Sequence, residues 1–332
     1  MDLAEVPREN AGPMQRWRAI LFWTLVAELA AVVGFLALLN GGEHDRLTLV
    51  VMYLPRAPLL GATVAGTFLA LLTGARGRIL AMVHATVAVL VLVPVMGLTA
   101  KQEQPLARPV RLATWNVFFS TLGRAKVLEE IASMDADVIV LQAANDSLVV
   151  ALRERFPERT IVQEHELSVV SRFPLRALPA PPPLPDGELA MFVGYVVETP
   201  HGPLNIVNMH PFSPRHALYE GEGVVENTAD REEQVVRALA MARELGEPFV
   251  LAGDTNLPHL SRIARTRFAG LHDAFAEAGN GFGFTFPSDR PFLRIDRVLG
   301  SARIRFGSAV VGSHERYGSS DHRPLFVTFE AM

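Results

Sequence analysis

Three long apolar runs open the chain, and shorter strand-length runs punctuated by polar residues fill the rest. Residues 19–39 are almost unbroken hydrophobic sequence, interrupted by Thr24 and Glu28. A second run, 47–72, is broken by Pro55-Arg56-Ala57-Pro58, and a third, 79–100, contains His84 and Pro94. A helix crosses a bilayer core with about 20 apolar residues, so the first and third runs predict membrane spans directly. The second predicts a span over 55–74, with its upstream part at the interface, or one longer, tilted and kinked helix. Buried core helices are the alternative reading. Successive runs without a small-residue cleavage site do not form a signal peptide. Glu28 predicts a buried acid facing a neighbouring helix, near His84.

From Val110 the pattern changes. Residues 110–115 predict a strand that delivers Asn116, and 124–134 a helix with Val127, Leu128 and Ile131 on one side. Residues 137–141 predict a fully buried strand with Gln142 and Ala143 at its exit. Further strands are expected over 167–170, 192–197, 204–208, 249–252, 296–299 and 325–329, and a helix over 230–245. Strands joined sometimes by helices and sometimes by turns predict two layers of mixed sheet with helices outside. Polar residues gather where apolar strands stop, so one rim of the sandwich should collect them. A doubly wound dinucleotide fold is disfavoured by the lack of Gly-x-Gly-x-x-Gly after the first strand. The predicted organisation is a membrane region, 1–104, with spans 19–39, 55–74 and 79–100, and a catalytic domain, 105–332.

Composition narrows the chemistry. The 332 residues carry 35 acids and 31 Lys or Arg, a net charge of -4. That argues against a broad nucleic-acid-binding stripe while allowing a local basic cleft. With no cysteine, disulfide and thiol chemistry are excluded. Ten histidines without cysteine or a tight His-x-x-x-His-Glu arrangement do not make a zinc site, and His216, His259 and His314 read as surface or loop residues. Arg16, Arg18, Arg76 and Arg78 slightly favour a cytoplasmic side over that of Arg46, Arg56, Lys101, Arg108 and Arg111. Three spans then put the C-terminal domain outside the cytoplasm.

Ser320-Asp321-His322-Arg323-Pro324, taken with Gly253-Asp254-Thr255-Asn256, has the composition of a phosphoesterase floor. Attack on a phosphate ester needs a cation to absorb charge and a carboxylate to manage water. Thr114-Trp115-Asn116, Val140-Leu141-Gln142, Val207-Asn208-Met209-His210 and Ile295-Asp296 complete an ordered set over 110–332. On these motifs the chain resembles the endonuclease/exonuclease/phosphatase superfamily, which includes DNase I-like nucleases, sphingomyelinases and inositol-polyphosphate phosphatases. It is similar in particular to bacterial members with a short multi-span N-terminal region.

The resemblance implies a four-layer α/β sandwich and a Mg²⁺ or Mn²⁺ ion near Asp321 and Asn116. Asp254 would orient and deprotonate the attacking water, and Asn256 would hold that water or a phosphoryl oxygen. His210 and His322 would donate to nonbridging phosphate oxygens, and Asp296 would orient His322. Plainer roles stand beside these: Asn116 as a strand cap, His210 as a turn residue before Pro211, Asp321 as a turn or helix cap. Arg172 is expected to support the fold through a buried ion pair. Asn208 either assists phosphate contact or holds its strand end.

One position departs from the family. Where a Gln-Glu pair should supply a principal metal ligand, the chain reads Gln142-Ala143. An engineered Glu→Ala change, a natural loss and a displaced metal site are the three readings, the first preferred because the other matched acids and histidines remain. The expected protein is therefore a phosphoesterase of the bacterial inner membrane, impaired at Ala143. Its expected substrate is a phosphorylated small molecule or lipid, with nucleic acid the lesser alternative. A binding module that kept the fold and lost the metal is the non-enzymatic alternative. The segment 211–228, with Phe212, Arg215, His216, Leu218, Tyr219, Gly221 and Gly223, predicts a mobile lid or a packed surface loop. The stretch 279–287 offers aromatic rings for a base, for lipid or for the core.

Overall fold

The computed structural model describes residues 12–185, 187–220 and 223–332; Gly221 of the expected lid lies outside them. The chain divides into two compact units, one of Met1–Leu38 with Pro55–Met96 and the other of Leu39–Leu54 with Gly97–Met332. The later division falls between Met96 and Gly97, ahead of the expected boundary between 104 and 105. The segment Leu39–Leu54, assigned above to the membrane region, packs with the second unit.

In the first unit lie α1 (Pro13–Asn40, its last two residues belonging to the second unit), α3 (Ala57–Leu71) and α4 (Ala75–Leu90), with α2 (Arg46–Met52) in the inserted segment. Pro94 lacks a backbone N–H, and α4 runs on into a π-turn over Val91–Val95 in which the Met96 N–H reaches the Val91 carbonyl. Among the described residues, Pro13–Asn40 and Ala75–Val95 are long and apolar enough to cross a bilayer; α2 and α3 together pass the same test but bend by 74°. The break falls at the Pro55-Arg56 interruption. Inside the unit His84 Nε2 lies 2.8 Å from Glu28 Oε2, and a side chain at Gly66 would collide with the His84 ring at 2.2 Å. Glu28 thus meets a neighbouring helix at His84.

The second unit begins with β1 (Thr99–Ala100), β2 (Val110–Asn116), α5 (Arg124–Ala132), β3 (Val138–Gln142) and α6 (Asp146–Arg155). Next come β4 (Thr160–Glu164), β5 (Leu167–Ser171), β6 (Leu175–Ala177), β7 (Phe192–Thr199) and β8 (Gly202–Met209). After these run α7 (Arg215–Tyr219), α8 (Val224–Leu245), β9 (Phe249–Asp254), α9 (Arg262–Arg267), β10 (His272–Asp273) and α10 (Ala274–Ala278). The chain ends with β11 (Asn280–Gly281), β12 (Asp296–Gly300), β13 (Ile304–Val311) and β14 (Leu325–Ala331).

Two six-stranded mixed sheets result, ordered β10-β12-β9-β8-β7-β6 and β13-β14-β2-β3-β5-β4. Strands β2/β3 and β8/β9 are parallel; their other neighbours are antiparallel. Successive strand residues face opposite sides, and the clusters follow that period. Val138 and Val140 join Leu112, Ile206, Val250 and Val298 in the core between the sheets. Ile139 and Leu141 join Trp115, Val127, Ile131 and Leu148 under α5 and α6. Val207 and Met209 join Val235 and Leu239 under α8. Helix, sheet, sheet, helix: the four layers are those expected.

Arg172 pairs with Asp137 at 3.1 Å and with Asp135 at 3.4 Å. Its side chain is 38% exposed, so the supporting ion pair lies at the surface rather than buried. A more deeply set cluster lies elsewhere. Asp273, at the start of α10, accepts from the nearly buried Arg297 (2.9 Å) and Arg294 (3.4 Å) and caps the Ala276 N–H. Burial works against its charge, but the two guanidinium groups hold its carboxyl below the ordinary value of 3.8. A depressed carboxyl adds stability above its unfolded pKa, and that stability is lost as pH falls through the folded value. Asp273→Ala should destabilise the second unit by about 3 kcal/mol at neutral pH, because two cations are left uncompensated. Chemical denaturation of the detergent-solubilised chain at pH 7 and pH 3 checks both statements, the difference from the parent shrinking at the lower pH.

Candidate active site

The inter-sheet alternation sets the site. Leu112, Thr114 and Asn116 point the same way along β2, as do Val250, Ala252 and Asp254 along β9 and Val298 and Asp296 along β12. Apolar residues fill the middle of that face and polar ones its end. Pairing then aligns Asn116 with Gln142 and Asp254 with Asp296. Gly253 permits the packing here, since a Cβ on it would meet the Met209 carbonyl oxygen at 2.0 Å. Beneath the rim, fully buried Asn208 accepts from Gln142 Nε2 (2.9 Å) and donates to the Leu141 carbonyl (2.9 Å). Asn208 therefore ties the two sheets together, which fits the strand-holding alternative.

The strand ends open into a cavity of about 580 Å³ that collects Asn116, His210, Asp254, Asn256, Asp321 and His322, together with Ala143. Asp296 lies just behind it. Asp254 is the hub. Its Oδ2 accepts from Asn116 Nδ2 at 3.0 Å and sits 3.4 Å from His210 Nε2 and 3.6 Å from His322 Nε2. Its Oδ1 accepts from the Asn256 N–H at 2.8 Å. Asn256 Nδ2 donates to the Pro211 carbonyl at 3.0 Å, so Asn256 joins the Asp254 strand to the His210 loop. His322 Nδ1 lies 2.9 Å from Asp296 Oδ2. Ser320 Oγ donates to the Asn116 carbonyl (2.7 Å) and accepts from the His322 N–H (3.1 Å), fixing the last loop against β2.

Electrostatics follow from this packing. Burial favours neutral His322, but the charges of Asp296 and Asp254 outweigh it and raise the ring to about 9. Burial opposes His210 likewise, while hydrogen bonds to Asp254 and Glu166 raise it to about 10. Both rings are cationic at neutral pH. Asp254 also loses solvation, yet the two imidazolium charges and the Asn256 N–H hold it far below the usual carboxylate range. Asp321 goes the other way. Burial raises its carboxyl, partly offset by His322, and the charge of Asp254 adds to the rise.

That uncompensated acid is the test of fit for a cation. Asp321 Oδ1 is buried without a protein hydrogen-bond partner, as is Asp296 Oδ1. Asp254, Asp296 and His322 also place ligand atoms within 4.8 Å of one another, but a cationic His322 has no lone pair to give, so a divalent cation here would draw on the oxygens of Asp321, Asn116 and the neighbouring carboxylates. Hard carboxylate and amide oxygens suit Mg²⁺ or Mn²⁺. The donor set fits.

Ala143 reaches the cavity wall with φ +49° and no donor side chain. The same cavity contains an acid that strand-end reasoning missed. Glu166 Oε1 lies 2.5 Å from His210 Nδ1, and its carbonyl accepts from the Ala144 N–H at 2.9 Å. It sits in the turn before β5, where His165 takes φ +53°, and only that polar turn could have hinted at it. Tyr53, from the inserted segment, is a second missed wall residue.

Much of the remaining wall is apolar, from Phe118, Met191, Phe212, Phe286, Leu293 and Ile295, while Ser213, Arg215, His216 and Glu220 add polar and charged groups along one side. Phe118, Phe119 and Ser120 all have positive φ, a cost of roughly 1–2 kcal/mol per residue. Hydrogen bonds from the Phe118 N–H to Asn116 Oδ1 and from the Phe119 N–H to the Ala143 carbonyl hold that lip. Phe286 packs 4.8 Å from the His322 ring at the cavity wall, and Phe282 stacks on Phe284; all three rings are half-buried. The expected lid contains α7 and the first turn of α8, with His216 at the cavity and Tyr219 82% exposed.

A family model described as Endonuclease/Exonuclease/phosphatase family matches residues 113–322. An endonuclease/exonuclease/phosphatase structure from Beutenbergia cavernae DSM 12333 is 20% identical, covering 68% of this chain and 72% of its own, with a TM-score of 0.51. TDP2 from D. rerio, solved with a single-strand DNA product, is 19% identical over 67% of this chain and 99% of its own, TM-score 0.51. Beta toxin 275-280 from Staphylococcus aureus is 14% identical over 67% of this chain and 100% of its own, TM-score 0.50. At these identities the likeness is one of fold. No curated protein matches the chain.

Proposed function

Because the chain belongs to the endonuclease/exonuclease/phosphatase family, we propose that this metal-dependent phosphoesterase hydrolyses a phosphate mono- or diester at a membrane by in-line attack of water. The observation that carries the reading is the convergence of two cationic histidines, an ionised Asp254 and an uncompensated Asp321 at one end of a largely apolar cavity. Asp321 and Asn116 would hold the cation, Mg²⁺ or Mn²⁺. When bound, it would neutralise charge developing on the phosphoryl group and acidify bound water.

Asp254 orients the attacking water and accepts its proton as the new P–O bond forms, with Asn256 as second anchor, while the ester P–O bond opposite breaks and the leaving alkoxide takes a proton from solvent. His210 and His322 donate to the nonbridging oxygens. Asp296 and Glu166 keep those rings charged and aimed.

The apolar wall and long N-terminal helices favour a lipid-linked or otherwise partly apolar phosphate ester. Because Leu39–Leu54 and Gly97–Met332 share one unit, the chain between them must cross a bilayer an even number of times. Helices α3 and α4 as a pair of spans satisfy that parity, although α3, at 15 residues, is shorter than the usual span of about 20. With α1 as a third span, the domain lies on the side opposite Arg16 and Arg18, outside the cytoplasm.

Mg²⁺-dependent release from phospholipid vesicles and from DNA, measured side by side, tests substrate class; preference for DNA would move the reading to a nuclease. Ala143→Glu is expected to raise Mg²⁺ affinity and turnover by at least about tenfold, since even outer-shell changes commonly cost 10–100-fold. No gain would remove the idea that Ala143 is an inactivating replacement and leave Glu166 as the acid of that wall.

A further inference from the structure

The segment between the first two apolar runs is built into the catalytic unit. Asp45 caps α2 by accepting from the Leu47 and Thr48 N–H groups. Fully buried Glu43 accepts from the Arg262 N–H at 3.1 Å, and its carbonyl accepts from Thr228 Oγ1 at 3.0 Å. Arg46 donates to the Leu218 carbonyl at 3.1 Å. These contacts deliver Tyr53 to the cavity wall.

There Tyr53 meets Asn256. The Tyr53 hydroxyl donates to the Asn256 carbonyl at 2.5 Å, and Arg231 Nη2 donates to the same carbonyl at 2.6 Å and to the Tyr53 oxygen at 2.9 Å. Arg231 is fully buried, so this guanidinium has no exposed alternative. Asn256 needs holding, because its φ of +49° lies in the left-handed region. Burial pushes the Tyr53 hydroxyl up to about 12 despite Arg231, so it remains a donor at neutral pH. From the geometry we infer that Tyr53 is a positioning residue. With Arg231 it clamps the Asn256 carbonyl, and through Asn256 it fixes Asp254 and the loop bearing His210. The membrane-proximal segment thereby completes the site.

The inference rests on the phosphoesterase reading for its kinetic arm only. In the full-length chain in detergent or nanodiscs, Tyr53→Phe removes one hydrogen bond and little volume. The expected results are a kcat lowered about five- to tenfold, KM within about twofold, an unchanged unfolding midpoint, and faster backbone hydrogen exchange over 254–257. If Tyr53 acts by positioning Asp254 through the backbone of residue 256, Tyr53→Phe/Asp254→Ala turns over no more slowly than Asp254→Ala alone. Unchanged kcat and exchange in Tyr53→Phe would overturn the clamp, as would a loss that multiplies independently with Asp254→Ala. If neither the parent nor Ala143→Glu is active on any ester offered, the functional reading fails, while the exchange measurement still decides whether Tyr53 holds Asn256.

Discussion

Asp254→Asn should lower turnover by about 10²–10⁴-fold, the usual contribution of a positioned acid or base, without unfolding the domain. Asparagine preserves shape, and an amide can still accept from the Asn256 N–H. It removes the one negative charge that both His210 and His322 face. The effect is therefore double: water loses its proton acceptor, and both phosphate-binding rings lose part of what keeps them cationic. Because Asp254 is held far below the normal carboxylate range, its ground state is a strong hydrogen-bond acceptor and a weak base. Most of its work is orientation, with proton uptake late on the reaction path. Steady-state rates in parent and Ala143→Glu backgrounds, with unfolding midpoints alongside, check this. A rate near the parent's would take Asp254 out of the chemistry.

The second large effect is on the alkaline side. His322 titrates at about 9 and His210 at about 10, so His322 loses its proton first. Above about pH 9 turnover should fall close to tenfold per pH unit, because the neutral ring no longer carries the charge that stabilises the phosphoryl oxygens. Stability moves with it. A histidine raised in the folded state contributes fully below its unfolded value near 6.5, and that contribution is lost as pH climbs through the folded value. Asp296→Asn should carry the alkaline limb toward neutral pH. A limb that stayed in place in that variant would assign it to another group.

Strand ends were the legible part of this molecule. Buried runs such as 137–141 and 249–252 announce themselves by apolar content, and a period of two fixes which of their residues face the other sheet. Asn116, Asp254 and Asp296 are thus legible as one group from the sequence; Asn116 and Asp254 line the cavity, and Asp296 stands behind it, 2.9 Å from His322. Strand β13 escaped notice because Gly307 interrupts it at a register shift between Phe306 and Ser308. Glu166 and Tyr53 escaped for another reason. Each enters the cavity from a turn or segment with no periodic signal of its own, and only tertiary packing says what it faces. The break in the second apolar run was legible at Pro55-Arg56, but not its outcome: the part before it packs with the catalytic unit and the part after it continues as α3.

The insertion of Leu39–Leu54 has a consequence for biosynthesis. The ribosome releases Tyr53 before any of the strand-end residues exists, so one side of the cleft is made first and waits, beside the emerging hydrophobic hairpin, for its remaining walls. The hydrolytic centre therefore cannot be completed by its C-terminal part alone, and a fragment starting after α4 would leave Thr228 and Arg231 of α8 without the Glu43 carbonyl and the Tyr53 hydroxyl that they bond.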